Sequence, residues 1–94
     1  MEVRLYASLR DVAGTRVVTV PAKPGETVGE VLGRVFARHP ALRPLVLSPD
    51  GSGLLPHVLV FLSGRSIREL QGLDTPVGED DELALFPPVG GGRG

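Results

Sequence analysis

The residues of this chain that could do chemistry stand together in one segment, Phe86-Pro87-Pro88-Val89-Gly90-Gly91-Gly92-Arg93-Gly94. Pro87 and Pro88 lack backbone N–H groups and hold φ at about −65°, so a sheet ladder has to end there. Glycines have no Cβ, so the segment that follows could enter a channel too narrow for any other residue. The group that such a segment would deliver is a main-chain carboxylate.

Two other interpretations of the glycine-rich segment have to be weighed. Chain ends are commonly frayed, and a frayed tail would have no function. A phosphate-binding loop would require a helix N-terminus directly after the glycines. We expect no helix there, which argues against such a loop and leaves the frayed tail as the alternative.

The remaining candidates for catalysis or metal binding are isolated residues. His39 and His57 have no second ligand at a metal-site spacing, so we expect structural or surface roles and no metal site. The acidic run Glu79-Asp80-Asp81-Glu82, like Asp74 before it, is typical of a solvated turn rather than of paired catalytic carboxylates. No serine lies in a recognisable nucleophile motif.

Cysteine is absent from all 94 residues. This excludes disulfides, thiolate metal sites and a nucleophilic or sulfur-relaying thiol within the chain. If the protein handles sulfur, a group other than a side chain has to hold it.

Length and charge limit the possible classes further. Ninety-four residues suit one domain with its own core. The formal net charge of −1 favours neither nucleic acid nor an anionic membrane as a partner. No apolar stretch reaches the ~20 residues of a membrane helix and no signal-peptide pattern is present, so we expect a cytoplasmic protein.

The N-terminal residues predict a hairpin. The alternation of apolar and polar residues over Glu2 to Leu9 indicates a half-buried strand. Its inward-facing residues would be Val3, Leu5 and Ala7. Asp11 to Thr15 would form the turn, and the β-branched run Arg16 to Val20 the second strand.

A helix is predicted from Thr27 to His39. Thr27 and Glu30 have the spacing of a capping box, in which each side chain binds the other residue's amide. Apolar residues then recur at helical spacing as one stripe: Val28, Val31, Leu32, Val35 and Phe36. Pro40 ends the helix because it disfavours the α conformation at the preceding residue.

The second half of the chain is predicted to be irregular first and then to supply three strands. Pro40 to Pro56 would place a short turn containing Leu42, Leu45, Val46 and Leu47 over one end of the core. The apolar run from His57 to Leu62 predicts a strand buried on both faces. Arg65 to Leu70 would be a short edge strand, and Glu82 to Phe86 alternates again, with Leu83 and Leu85 facing inward.

This order of elements predicts a mixed sheet with the helix on one face. The simplest arrangement pairs the last strand with the first, in parallel. Tyr6 and Phe86 would then emerge together on the face away from the helix, as a candidate docking patch. The alternative is that both rings only pack against the edge of the sheet.

The opening Leu5-Tyr6-Ala7-Ser8-Leu9-Arg10-Asp11-Val12-Ala13-Gly14 and the ending Phe86-Pro87-Pro88-Val89-x-Gly-Gly together resemble the MoaD/ThiS sulfur-carrier proteins. The resemblance runs from about Glu2 to Gly92. It implies an α+β fold, the ubiquitin-like β-grasp, with a mixed sheet of four to five strands and one main helix on one face. The domain would comprise residues 1–89, followed by a flexible glycine-rich tail over residues 90–94.

The resemblance also implies a chemistry in which the chain is a protein co-substrate and not an enzyme. The terminal glycine carboxylate would be adenylated by a ThiF/MoeB-type enzyme that uses ATP with Mg²⁺, and the chain itself would bind no cofactor. A sulfurtransferase or another persulfide donor would then convert it to a thiocarboxylate for a downstream synthase. The residues that would meet these partners are Tyr6, Arg10, Ile67, Phe86, Pro87, Pro88, Val89 and Gly90.

The sequence departs from the family pattern after the glycine pair. Aligning Val89-x-Gly-Gly makes Gly91-Gly92 the pair, so that Gly92 would be the adenylated residue only after Arg93-Gly94 is removed. A JAMM-type metalloprotease would perform this cleavage. The rival expectation is that Gly94 is activated directly.

Several functions agree with the resemblance. The stretch Gly64-Arg65-Ser66-Ile67-Arg68, with Gly72-Leu73-Asp74-Thr75-Pro76, resembles the longer MoaD-like and CysO-like members, and ThiS-type carriers lack most of the segment Pro40 to Pro56. By this resemblance molybdopterin synthesis comes first, with this chain as the small subunit beside a MoaE-type large subunit. A CysO-like role in cysteine synthesis, or thiolation of tRNA or another metabolite, is the alternative. A ubiquitin-like modifier joined to lysines and a purely non-covalent β-grasp module also remain open.

Overall fold

One mixed sheet of five strands forms the centre of the protein in the computed structural model, which describes residues 1–88. The strands are β1 (Glu2–Leu5), β2 (Val17–Thr19), β3 (Leu59–Leu62), β4 (Arg65–Ser66) and β5 (Leu83–Phe86), in the spatial order β2-β1-β5-β3-β4. The helices are α1 (Ser8–Ala13), α2 (Val28–Arg38) and α3 (Arg43–Val46). This is the predicted β-grasp fold. Val89 and the predicted flexible tail over residues 90–94 lie outside the described residues.

The first strand is shorter than the sequence predicts. β1 ends at Leu5, and Ala7 adopts a φ of +52°, which turns the chain out of the sheet and into α1. Leu9 is thereby buried in the core, whereas Ala7 is exposed. The prediction of a strand through Leu9 with Ala7 facing inward is wrong, because burying the larger Leu9 side chain gains more than a longer ladder would.

The helix α2 confirms the prediction from its capping box. The Thr27 hydroxyl accepts a hydrogen bond from the Glu30 N–H at 3.2 Å, and the Thr27 N–H donates to the Glu30 carboxylate at 3.0 Å. His39 ends the helix. All five residues of the predicted apolar stripe are buried against the sheet.

The segment from Pro40 to Pro56 covers one end of the core, as predicted. A 3₁₀ turn (Pro40–Leu42) and α3 bury Leu42 and Val46. Leu45, which was predicted to join them, is instead 39% exposed, since it lies on the outer side of this short helix. The Arg68 guanidinium fixes the end of the segment through hydrogen bonds to the main-chain oxygens of Leu55 (2.8 Å) and Val58 (3.0 Å).

Strand β3 is buried on one face only, which corrects the prediction of burial on both. Val60 and Leu62 face the core, whereas Leu59 is 39% exposed and Phe61 is partly exposed. The continuous apolar run therefore does not indicate a second covered face; it provides the apolar surface described below. The predicted edge strand is also shorter, because a 3₁₀ turn (Ile67–Glu69) follows β4 directly.

The placement of β5 confirms the predicted topology. It pairs in parallel with β1, with Leu85 opposite Leu5, and antiparallel with β3. Leu83 and Leu85 are buried, and Ala84 and Phe86 lie on the other face. The strand from which the glycine-rich segment follows is therefore held on both sides.

Candidate functional site

Two aromatic rings meet where β1 and β5 end. The Tyr6 N–H donates a hydrogen bond to the Leu85 carbonyl oxygen (3.2 Å), which extends the parallel ladder by one step and places Tyr6 next to Phe86. Their rings stack with centroids 4.3 Å apart and planes 10° from parallel. A stacked pair of this kind contributes about 0.5–1.5 kcal/mol beyond its buried area.

The neighbouring strand β3 extends this aromatic surface. Phe61 meets Phe86 edge-on, at a centroid distance of 5.6 Å and an angle of 90°. Leu59 lies opposite Phe86 in the β3–β5 register, because the antiparallel β3 begins where β5 ends. The two strands thus bring apolar side chains together at one end of the uncovered face.

We name this surface the tail-base platform; it comprises Tyr6, Leu59, Phe61, Phe86, Pro87 and Pro88. All but Tyr6, together with Ala7 and Ser8, line a groove of about 660 Å³. A contiguous exposed apolar surface is a candidate interaction site. Its distinguishing feature is continuity with Pro87 and Pro88, the last described residues before the glycines.

Charged residues border the platform at the start of β1 and beside Tyr6, outside the groove. At the start of β1, Arg4 approaches Glu2 (3.4 Å) and Glu82 (4.0 Å). Beside Tyr6, three arginines line a smaller depression of about 280 Å³: Arg4, Arg10 and Arg16. A partner of the platform therefore meets apolar surface at its centre and positive charge on the side of α1.

Of the predicted site residues that lie within residues 1–88, the structure brings all but Ile67 together. Tyr6, Phe86, Pro87 and Pro88 belong to the platform, and Arg10 is exposed beside Tyr6. Ile67 is fully buried, so the prediction that its side chain contacts a partner is wrong; it packs in the core instead. Val89, Gly90, Gly91 and Gly92 lie outside the described residues, and their predicted roles stay predictions.

Sequence reasoning missed Leu59 and Phe61 as surface residues. The signal was present, since alternate residues of β3 point to opposite faces. In a run in which every residue is apolar, residue type does not distinguish the core-facing positions from the exposed ones. They can be assigned only when it is known which face of the sheet is covered.

The perturbed carboxylates of the described part of the chain lie elsewhere. Hydrogen bonds from Arg34 and from the Lys23 amide lower the pKa of Glu26 to about 2, in the turn before α2. Hydrogen bonds from Ser48 and Ser52 lower the pKa of Asp50 to about 2, in the loop after α3. Both carboxylates stabilise turns, so neither marks a catalytic site.

The described residues supply a binding surface and no assembled catalytic group. Among residues 1–88, no group of three or more His, Asp or Glu side chains is arranged so that it could hold a metal ion. Over the same residues, no helix has the length and apolar character to cross a bilayer. What the arrangement can do is hold an apolar partner at the point where the chain leaves the sheet.

Comparison with known proteins gives matches over almost the whole chain. The model of the ThiS family matches residues 3–92. Small archaeal modifier protein 1 of Haloferax volcanii is 42% identical over 92 residues, which are 98% of this chain and 100% of the relative. Small archaeal modifier protein 3 of the same organism is 34% identical over 92 residues, 98% of each chain.

Solved structures agree with these matches. The crystal structure of small archaeal modifier protein 1 from Haloferax volcanii superimposes with a TM-score of 0.86 at 41% identity, covering 98% of both chains. A chain in the crystal structure of the Amycolatopsis orientalis BexX/CysO complex gives a TM-score of 0.82 at 26% identity, covering 97% of this chain and 98% of that one.

Proposed function

The chain belongs to the ThiS family of ubiquitin-like sulfur carriers and modifiers, and from this premise we propose that it carries sulfur as a thiocarboxylate on Gly92. Its homologues are small carrier or modifier proteins and not catalytic enzymes. Members of the family work with E1-like activating enzymes and with target proteins or synthases. This chain would act in the cytoplasm as a co-substrate of such enzymes.

The observation that carries this proposal is the continuity of the tail-base platform with Pro87 and Pro88. An enzyme that acts on a main-chain carboxylate must bind the folded domain close to the reacting end of the chain. The platform offers apolar area at the last rigid residues before the glycines. Buried apolar contacts there would offset the entropy, roughly 1–2 kcal/mol per residue, that ordering the glycines costs.

The reaction proceeds in two stages, and both use groups outside this chain. In the first, the Gly92 carboxylate attacks the α-phosphorus of ATP in a ThiF/MoeB-type enzyme, and pyrophosphate leaves. In the second, the terminal sulfur of a persulfide donor attacks the glycine carbonyl, a C–S bond forms and AMP leaves. A partner thiol then attacks the donor's own sulfur, breaks the S–S bond of this acyl disulfide and forms a disulfide with the donor. The thiocarboxylate remains on a chain that has no cysteine of its own to compete.

Gly92 is the residue we assign because the family match ends there. A JAMM-type metalloprotease would release its carboxylate by removing Arg93-Gly94. Direct activation of Gly94 is the competing possibility, but a bulky Arg93 side chain next to the reacting glycine would obstruct a narrow channel.

For the pathway, we propose molybdopterin synthesis, with this chain as the small subunit inserted into a MoaE-type large subunit. The support is the resemblance of residues 64–68 and 72–76 to the longer MoaD-like and CysO-like members, together with the segment from Pro40 to Pro56, most of which ThiS-type carriers lack. A CysO-like role is the nearest alternative, supported by the likeness to a chain of the BexX/CysO complex.

Conjugation to lysine amines is the second candidate function. The observation that favours it is the identity of 42% and 34% to two proteins named as modifiers. It uses the same activated glycine, with an amine replacing the persulfide as the attacking group.

One experiment separates these possibilities. The chain ending at Gly92 and the chain ending at Gly94 are each incubated with a cognate adenylating enzyme, ATP and a persulfide donor, and the products are identified by intact mass. We expect AMP, and the gain of one sulfur in place of one oxygen, only for the chain ending at Gly92. AMP from the longer chain would contradict processing, and adducts at target lysines would identify a modifier. A chain ending at Gly92 that gives neither product would refute the proposal and leave a non-covalent module.

A further inference from the structure

Lys23 is the only lysine among the ten Lys and Arg residues of the chain. An arginine guanidinium stays protonated and does not act as a nucleophile, whereas a lysine amine that loses its proton can attack an activated carbonyl. A protein that carries an activated acyl group therefore presents a single side-chain amine to other copies of itself.

The turn that holds Lys23 is firmly fixed. The Glu26 N–H donates to the Lys23 carbonyl oxygen at 3.0 Å, with Pro24 second in the turn and Gly25 third at a φ of +88°, as in a type II turn. The Lys23 N–H donates in turn to the Glu26 carboxylate at 2.6 Å. Arg34 of α2 binds the same carboxylate at 2.9 Å, which fastens the turn to the helix.

The amine itself is accessible. Lys23 is exposed, and within residues 1–88 its ammonium makes no hydrogen bond and no ion pair. The N-terminal amine of Met1, the other primary amine of the sequence, donates instead to the Val20 carbonyl oxygen at 2.7 Å in a partly buried position. Of the two amines, Lys23 is the one free to react.

Lys23 also lies far from the tail-base platform. It follows β2, whose last residue, Thr19, pairs with Glu2 at the start of β1. Tyr6 and Phe86 lie beyond the opposite ends of β1 and β5. One molecule can therefore be held at its platform by an activating enzyme while its lysine stays exposed to another molecule.

We propose that Lys23 accepts the activated C-terminus of a second copy of this chain, so that copies are joined through one kind of isopeptide bond. This rests on the proposed activation of Gly92. The lone pair of the neutral ε-amine attacks the glycine carbonyl carbon of the acyl adenylate, and a C–N bond forms. The C–O bond to AMP breaks, AMP leaves with the electron pair, and the amine proton passes to solvent.

The test uses the chain ending at Gly92, a cognate adenylating enzyme and ATP, without a sulfur donor. Linked dimers are detected by mass and mapped after trypsin digestion. Because Pro24 follows Lys23, trypsin leaves this lysine uncut, and residues 17–34 form one peptide whether or not Lys23 is modified. The branch on that peptide would be residues 69–92, since no Lys or Arg lies between Arg68 and Gly92.

The matched control is Lys23→Arg, which keeps the charge of the exposed turn. We expect the wild-type chain to form dimers branched at Lys23, and the variant to lose them while its adenylation, followed as the initial rate of pyrophosphate release, is unchanged. Dimers of the variant, or a branch at Met1, would overturn the assignment of Lys23. Pyrophosphate release without any dimer from the wild-type chain would overturn self-conjugation alone, whereas absence of pyrophosphate release would overturn the proposed function and this inference together.

Discussion

Tyr6 and Phe86, near opposite ends of the sequence, stack ring on ring 4.3 Å apart. The parallel pairing of β1 with β5 aligns the two residues, and the antiparallel β3 adds Phe61 and Leu59 beside them. The fold thus assembles an apolar platform from three strands at the point where the chain continues into Pro87 and Pro88.

Replacing Phe86 by Ala should weaken recognition by the activating enzyme. Phe86 contacts both Tyr6 and Phe61, so its loss removes the centre of the platform, and central aromatic residues dominate interface energies. We expect an increase of about tenfold or more in the KM for the chain ending at Gly92, the equivalent of about 1.4 kcal/mol. Tyr6→Phe, which keeps the stack, is the control, and an unchanged KM for Phe86→Ala would contradict a role of the platform.

Two leucines with equal exposure offer a matched pair. Leu59 on the platform and Leu45 on α3 are each 39% exposed, so both truncations remove similar apolar area. We expect Leu59→Ala to raise the KM of adenylation several-fold and Leu45→Ala to leave it unchanged, with thermal unfolding as the check on folding. Equal effects of the two substitutions would show that the partner does not select the platform.

Thr27→Ala should destabilise the protein by about 1 kcal/mol, because it removes the cap of α2. The variant loses the hydroxyl that accepts a hydrogen bond from the Glu30 N–H. The first turn of α2 then frays, which weakens the packing of the apolar stripe against the sheet. Urea unfolding measures the change. Thr27→Ser, which keeps the hydroxyl, should restore most of the stability; a Ser variant as weak as the Ala variant would assign the loss to packing.

Arg34→Gln should alter how stability depends on pH. Arg34 is the largest cause, ahead of the Lys23 amide, that lowers the folded-state pKa of Glu26 to about 2. The stabilisation from Arg34 is therefore complete above the ordinary carboxyl pKa and is lost as pH falls toward 2. The stability difference between wild type and variant should therefore shrink between about pH 6 and pH 2. Arg38→Gln is the control, because Arg38 donates to the Thr19 main-chain oxygen and not to a carboxylate, and its difference should not follow pH in this way. A constant difference for Arg34→Gln would contradict the ion pair.

Local signals predicted the elements that local interactions define. The capping box at Thr27 and Glu30 and the apolar spacing that follows located α2 correctly, since both depend on residues within a few positions of one another. The predicted continuation of β1 to Leu9 was wrong, because the positive φ of Ala7 has no sequence signature. The burial of Leu9 depends on which distant residues cover it. The prediction that Ile67 contacts a partner was wrong for the same reason, because the family resemblance carries no information on burial at a single position.

The class of protein can be read from the amino-acid pattern: a cysteine-free domain with the MoaD/ThiS ending and a helix fixed by its own cap. Which apolar residues lie on the surface depends on the packing of the whole fold. Leu59 and Phe61 look like core residues in the sequence and become part of the platform because, within residues 1–88, no helix lies over that face of the sheet. Exposure depends on what packs across a residue from distant parts of the chain, and no local pattern of side chains encodes that.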